Sequence, residues 1–197
     1  MNLRVQLVVA LAVICSVAAF AQAHDTPFQV RYAANVSPTS PGDSVINITN
    51  TGASGGNICV NVYTFSPDEQ EVSCCSCVVT PNGLVSLSVK GDLISNTLTP
   101  AVPSAVVVKL LATTGGACNA AAPGALAAGL AAWGTTTHAT APAGATLAVT
   151  ETPFTPATLS AAELARISSF CGFIQANGSG YGICRSCRTG ALGSVRQ

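Results

Sequence analysis

Hydrophobic and polar positions alternate over short segments through the first half of the chain. Residues 28–32 read Phe-Gln-Val-Arg-Tyr, and residues 45–48 place Ile46 and Ile48 on one side of an extended segment. Proline, glycine and serine cluster between these segments, as at residues 37–42. A period of two bounded by turn residues is typical of half-buried β-strands. We therefore expect short strands joined by turns.

A hairpin is predicted next along the chain. Residues 58–65 and 72–79 are rich in β-branched and aromatic side chains, and a polar turn separates them. Two such runs around a short polar connection are typical of paired antiparallel strands. We expect the acidic side chains beside the turn, Asp68, Glu69 and Glu71, to be exposed charges.

Further strands are predicted downstream. Residues 84–89 alternate, and residues 105–111 are apolar except for Lys109, which indicates a buried strand. Residues 133–138 and 146–150 form a second candidate hairpin, with Ala-Pro-Ala-Gly at 141–144 as its turn. Strands at this spacing predict a mainly β domain, a sandwich of about seven to eight strands.

One C-terminal helix is predicted over residues 161–176. Ser160 and Glu163 match the capping box, in which serine and glutamate satisfy unpaired backbone amides at a helix start. Gly178 supplies a stop, because glycine accepts the left-handed conformation without steric cost. Helical spacing places five apolar residues on one face, which should dock on the sheet: Leu164, Ile167, Phe170, Cys171 and Ile174.

The first 23 residues predict a secretory signal peptide. Arg4 is followed by an uncharged apolar run at residues 7–20 and by Ala21-Gln22-Ala23, a small-x-small cleavage site. The predicted organisation is a signal peptide at 1–23 and a single secreted domain at 24–197. Such a domain reaches a compartment in which thiols oxidise, whether extracellular, periplasmic or at the cell envelope.

Charge composition excludes some partners. Only 8% of residues are charged, and loss of Arg4 with the leader leaves a slight acidic excess. No basic field is present to attract nucleic acid, and no apolar run after the leader is long enough for a membrane span. A weakly charged surface repels other copies only weakly, so self-association or a partner at the cell surface is one expectation, and a monomer with a Ser/Thr-rich surface is the other.

Eight cysteines follow the leader: Cys59, Cys74, Cys75, Cys77, Cys118, Cys171, Cys184 and Cys187. An even number in an exported chain predicts disulfide bonds throughout. If the hairpin turn centres near Asp68, Cys59 faces Cys77 or Cys75 across the strands, and a bridge there is geometrically reasonable. The sequence leaves the other pairings open.

A thiolate site is the alternative use of these cysteines. Cys75 and Cys77, together with Cys184 and Cys187, offer four sulfurs of the kind that bind zinc or an iron–sulfur cluster. The pair Cys184 and Cys187 also lies beside Arg185, which would favour a reactive low-pKa thiol. The C-x-C spacing is unusual for zinc, and export favours structural disulfides.

The two histidines suggest a second alternative, a copper site. Cleavage after Ala23 would make His24 the N-terminal residue, and its amine and imidazole could share copper with His138 in a histidine brace. Cleavage after Ala21 would remove that arrangement. The brace would imply a copper-binding protein or a copper oxygenase.

Three segments resemble an uncharacterised family of secreted, cysteine-containing bacterial proteins with no assigned activity. They are residues 74–84 (CCSCVVTPNGL), 96–103 (NTLTPAVP) and 173–187 (FIQANGSGYGICRSC). The resemblance implies export and a single domain, and it implies no mechanism. With no catalytic residue or cofactor singled out, we expect a non-catalytic structural or adhesive protein.

Overall fold

The computed structural model describes residues 26–140 and 146–188 of the chain. In chain order the elements are β1 (Phe28–Ala33), β2 (Ser44–Asn50), β3 (Ile58–Phe65), β4 (Glu71–Val79), β5 (Leu84–Ser88), a π-helical turn (Val89–Leu93), β6 (Val106–Thr114), β7 (Leu130–Thr140), β8 (Thr146–Pro153), β9 (Thr155–Pro156), α1 (Ala161–Ala176) and α2 (Arg185–Arg188). Neither helix in these ranges has the length and apolar character needed to cross a membrane.

The strands form two antiparallel sheets. Sheet 1 has the order β4-β3-β6-β1-β9, and sheet 2 has the order β5-β2-β7-β8. Buried aliphatic side chains of both sheets meet in one core cluster, which includes Ile46 and Ile48 of β2 and Val60 and Val62 of β3. The predicted mainly β sandwich with one long C-terminal helix is therefore confirmed.

Sheet 1 is covered on its second face by α1. A separate hydrophobic cluster joins Tyr63 of β3 and Cys74 of β4 to Ile167 and Ile174 of α1. This cover explains why nearly every residue of β3 and β4 is buried, whereas buried and half-buried residues alternate along β2. The β3–β4 hairpin thus lies in the middle layer of three.

The second predicted hairpin is confirmed as β7 and β8. His138 pairs with Ala148, and Trp133 pairs with Pro153 near the other end. Its predicted turn at 141–144 lies outside the described residues.

The described ranges contain nine strands, close to the predicted seven to eight, because the short β9 also pairs with β1. One detail of the predicted strands was wrong, since Val89 belongs to the π-helical turn rather than to β5. The turn forms because the Ser88 hydroxyl accepts a hydrogen bond from the Gly91 amide and the Asp92 carboxylate accepts one from the Ser88 amide.

Arg31 of β1 lies buried between the two sheets. Its guanidinium donates to Thr152 Oγ1 at 2.8 Å and to Thr136 Oγ1 at 2.9 Å, both in sheet 2. It lies directly over Gly134 of β7, where an added Cβ would be 2.1 Å from Cζ. Burial lowers the pKa of Arg31. Glycine at 134 therefore provides the space for the guanidinium.

The segment before α2 covers the outer edge of β4. Tyr181 donates its amide to Cys74 O, and Cys184 donates its amide to Ser76 O. Gly180, with φ +63°, lies so close that an added Cβ would be 2.9 Å from Cys74 O. Covering an edge strand removes the unpaired backbone groups through which sheets aggregate.

Asp92 anchors α2 to the sandwich. Its buried carboxylate accepts hydrogen bonds from the Ser186 amide at 2.6 Å and the Ser186 hydroxyl at 2.8 Å, in addition to the Ser88 amide. Three donors on one buried carboxylate fix the end of the described chain against the π-helical turn.

Candidate functional site

Four disulfide bonds pair all eight cysteines of the described residues. They are Cys59–Cys118, Cys74–Cys171, Cys75–Cys184 and Cys77–Cys187. The prediction that every one of these cysteines is bonded is confirmed. The last three bonds start on β4 and span sequence separations of 97, 109 and 110 residues. Bonds that close such long loops strongly restrict the unfolded chain.

The predicted bridge from Cys59 to Cys77 or Cys75 was wrong. Cys59 pairs across the hairpin with Val78, whereas Cys77 pairs with Val60 and Cys75 with Val62. Neighbouring residues in a strand point to opposite faces, so this register puts Cys59 on the α1 side and the other two in the inter-sheet core. Cys59 instead bonds to Cys118.

The four cysteines of the thiolate hypothesis do lie together. Cys75 is bonded to Cys184 and Cys77 to Cys187, and all four are buried. Cys184 and Cys187 are not bonded to each other as a redox pair would be. A sulfur in a disulfide is not a thiolate, so this oxidised state offers neither a zinc ligand set nor a nucleophilic thiol.

The copper hypothesis involves His24, which lies outside the described residues, and His138 in β7. The two ring nitrogens of His138 lie 3.0 Å from Asn35 Nδ2 and 2.9 Å from Thr150 Oγ1. A metal at His138 would have to replace one of these hydrogen bonds. The histidine brace stays a prediction.

Helix α1 has the predicted bounds and N-cap. Ser160 Oγ accepts a hydrogen bond from the Glu163 amide at 3.1 Å. The Glu163 carboxylate pairs instead with Lys109 of β6, at 2.7 Å from Nζ, and not with the Ser160 amide. The serine half of the predicted capping box is therefore present. The glutamate half is replaced by an ion pair that joins α1 to sheet 1.

The predicted docking face of α1 was too wide. Ile167, Cys171 and Ile174 are buried, but Phe170 is 45% exposed. The buried residues follow the spacing i, i+4, i+7, which makes one narrow stripe, and Phe170 lies about 100° away from Cys171 around the helix. Phe170 instead packs edge to face against the exposed Phe173, with ring centroids 6.4 Å apart.

A groove runs between α1 and the loop that joins β3 to β4. It contains two adjoining cavities of about 320 and 650 Å³. The smaller cavity extends towards Glu71, Leu98 and Phe170, and the larger one extends towards Lys109 and Glu163. Four residues line both cavities: Phe65, Glu69, Arg166 and Ile167.

Glu71 is the chemically unusual residue of this groove. It is 5% exposed, and neither carboxyl oxygen has a hydrogen-bond partner in the described part of the chain. Burial raises the pKa of Glu71 to about 8, and the charge of Lys109 partly opposes this shift. The expectation that Glu71 is an exposed turn charge was therefore wrong.

A β-bulge explains where the Glu71 side chain points. Thr64 pairs with Ser73 but Phe65 pairs with Glu71, so Val72 is an extra residue in β4. A bulge re-aims the side chains beside it. Here it places Glu71 opposite Phe65 on the α1 side, within 4.8 Å of the sulfur atoms of the Cys74–Cys171 disulfide.

Neighbouring polar groups of the groove are satisfied without Glu71. Lys109 Nζ pairs with Glu163 and lies 4.6 Å from the centroid of the Phe65 ring, a cation–π distance. Tyr63 donates its hydroxyl to Ala120 O at 2.8 Å, and burial, aided by Glu71, raises the pKa of Tyr63. Glu71 is thus a buried hydrogen-bonding group without a partner in the described ranges, beside a cavity lined by both apolar and charged side chains.

No protein-family model, curated protein or solved structure matches the chain. The resemblance to secreted bacterial proteins stays a prediction.

Proposed function

We propose that the mature protein works outside the cytoplasm as a non-catalytic structural or adhesive domain. The observation that carries this proposal is the bonding of all eight mature cysteines in four disulfides. Such a framework is typical of proteins that fold in oxidising compartments. It also resists unfolding without any ligand, which suits a domain that persists in the envelope or the medium.

Two features of the sequence support the same role. The first 23 residues have the pattern of a secretory leader. The low charged fraction of 8% leaves little electrostatic repulsion between copies, or between the protein and a cell surface. An adhesive or structural protein needs this tendency to associate, whereas a freely diffusing enzyme does not.

Intact mass of the exported protein tests the first half of the proposal. Alkylation without reductant should label no thiol, and alkylation after reduction should label all eight mature cysteines. The mass should also place the new N-terminus near residue 22 or 24. Four labelled thiols with stoichiometric zinc would instead favour the thiolate hypothesis.

Co-sedimentation tests the adhesive half. The oxidised protein should pellet with isolated cell envelopes or should self-associate in sedimentation velocity. A protein that stays monomeric and in the supernatant at every concentration would contradict the adhesive role. Sub-micromolar copper binding that is lost in His138→Ala would contradict the structural or adhesive role and favour the histidine brace.

A further inference from the structure

Glu71 is a buried ionisable group that the fold does not use. Both carboxyl oxygens lack partners in the described ranges, although buried polar groups are normally hydrogen-bonded. The bulge at Val72 turns this side chain towards α1, where it borders the smaller cavity. Buried ionisable groups that are left unpaired and do not stabilise the fold are found most often at functional sites.

The same groove already holds one ammonium group, which indicates the chemistry that fits it. Lys109 Nζ lies between the Glu163 carboxylate and the Phe65 ring. Phe65 also borders the smaller cavity, where Glu71 and Phe170 provide a second carboxyl group and a second ring. Unlike Glu163, which pairs with Lys109, Glu71 has no hydrogen-bond partner for its carboxyl group in the described ranges.

We propose that the smaller cavity binds a protonated primary amine that carries an apolar group, with Glu71 as its carboxylate partner. The Glu71 side chain would turn its buried carboxyl group towards the ammonium, and the apolar group would pack against Phe65, Leu98 and Phe170. The cavity of about 320 Å³ suits a ligand of one aromatic ring and a short chain. Amine binding here is independent of the adhesive role proposed above.

The surrounding charges are compatible with a cation. The groups that face Glu71 or line its cavity are Tyr63 of β3, Lys109 of β6, the Cys74–Cys171 disulfide, Glu69 of the turn and Arg166 of α1. Lys109 is paired with Glu163, and the charges of Glu69 and Arg166 offset each other. An ionised Glu71 therefore leaves one negative charge for the ligand to neutralise.

Titration calorimetry of the oxidised protein tests this site with three probes of one shape. They are 2-phenylethylamine, 2-phenylethanol and 3-phenylpropanoate, at about pH 8.5. The amine should bind at least about tenfold more tightly than the alcohol or the acid, because only the amine pairs a positive charge with the ionised carboxylate. An amine that does not bind, or an alcohol or acid that binds as tightly, would overturn the proposal.

Variants and pH assign the binding to Glu71. Glu71→Gln should weaken amine binding at least about thirtyfold, whereas Glu151→Gln, the same change on exposed β8, should leave it unchanged. For the parent protein, affinity should rise about tenfold per pH unit below about pH 8, because Glu71 must release its proton. A flat pH profile would overturn the proposal even if Glu71→Gln failed to fold, and unchanged affinity in a folded Glu71→Gln would do the same.

Discussion

Replacing Glu71 with glutamine should stabilise the protein, by an amount that grows with pH. Glutamine has almost the same shape as glutamate and cannot ionise. The pKa of Glu71 is about 8 in the folded protein, against an ordinary value of 4.5. Below pH 4.5 the carboxyl is protonated in both the folded and the unfolded states, so the parent and variant should be similar in stability.

The size of the effect follows from proton linkage. Between pH 4.5 and 8 the unfolded chain has released the Glu71 proton and the folded protein has kept it, so the parent loses stability as pH rises. Each unit of pKa difference corresponds to about 1.4 kcal/mol, which gives about 5 kcal/mol at most for the full shift. Above pH 8 the difference should be constant.

Urea unfolding with the disulfides intact, from about pH 4 to pH 9, measures this difference directly. Glu151→Gln is the matched control, because Glu151 lies exposed on β8 and its replacement should leave the pH profile of the parent unchanged. Parallel profiles for the parent and Glu71→Gln would show that the carboxyl group is solvated or paired in solution, and would refute the reasoning.

Four further substitutions test the packing, each measured as the change in urea midpoint at neutral pH. Gly134→Ala should cost about 2–4 kcal/mol by displacing the buried guanidinium, and the cost should largely vanish in an Arg31→Met background; additive costs would contradict the clash. Asp92→Asn should cost about 2–4 kcal/mol because the amide keeps only one accepting oxygen and its NH2 group faces buried donors, and a neutral effect would mean that water or a shifted side chain satisfies these donors. Ser160→Ala should cost about 1 kcal/mol, and an unchanged midpoint would mean that the cap hydrogen bond adds nothing. Phe170→Ala should cost less than about 1.5 kcal/mol, since its ring is largely exposed, and a loss above 3 kcal/mol would show that the ring is buried in solution.

The elements of the sandwich were predictable because their signals are local. The cap at Ser160, the stop at Gly178 and the alternation around Ile46 and Ile48 each depend on a few consecutive residues. The β7–β8 hairpin was predictable for the same reason. Such local patterns do not indicate which of the two sheets a strand joins.

The candidate site was not predictable, because its features arise from register. A one-residue bulge at Val72 decides that Glu71 lies on the α1 side of sheet 1 with Phe65 instead of on the opposite face. Register also placed Cys59 on the opposite face from its expected partners. Buried Arg31 had no local signal either, since alternation alone favours solvent for a charged side chain. Only Gly134, a glycine inside a strand pattern, indicated a close approach by another group.

The disulfide connectivity has a consequence for how the chain acquires its structure during synthesis. Each bond joins one of the first four cysteines of the described residues to one of the last four, in the same order: Cys59 to Cys118, Cys74 to Cys171, Cys75 to Cys184 and Cys77 to Cys187. A chain oxidised as it emerges would therefore first join neighbours within the early group, and all such bonds are non-native. Reaching the native set requires thiol–disulfide exchange after the last residues have appeared. Recovery of correctly bonded protein from any host should therefore depend on a disulfide isomerase or a glutathione redox buffer more than on the rate of oxidation.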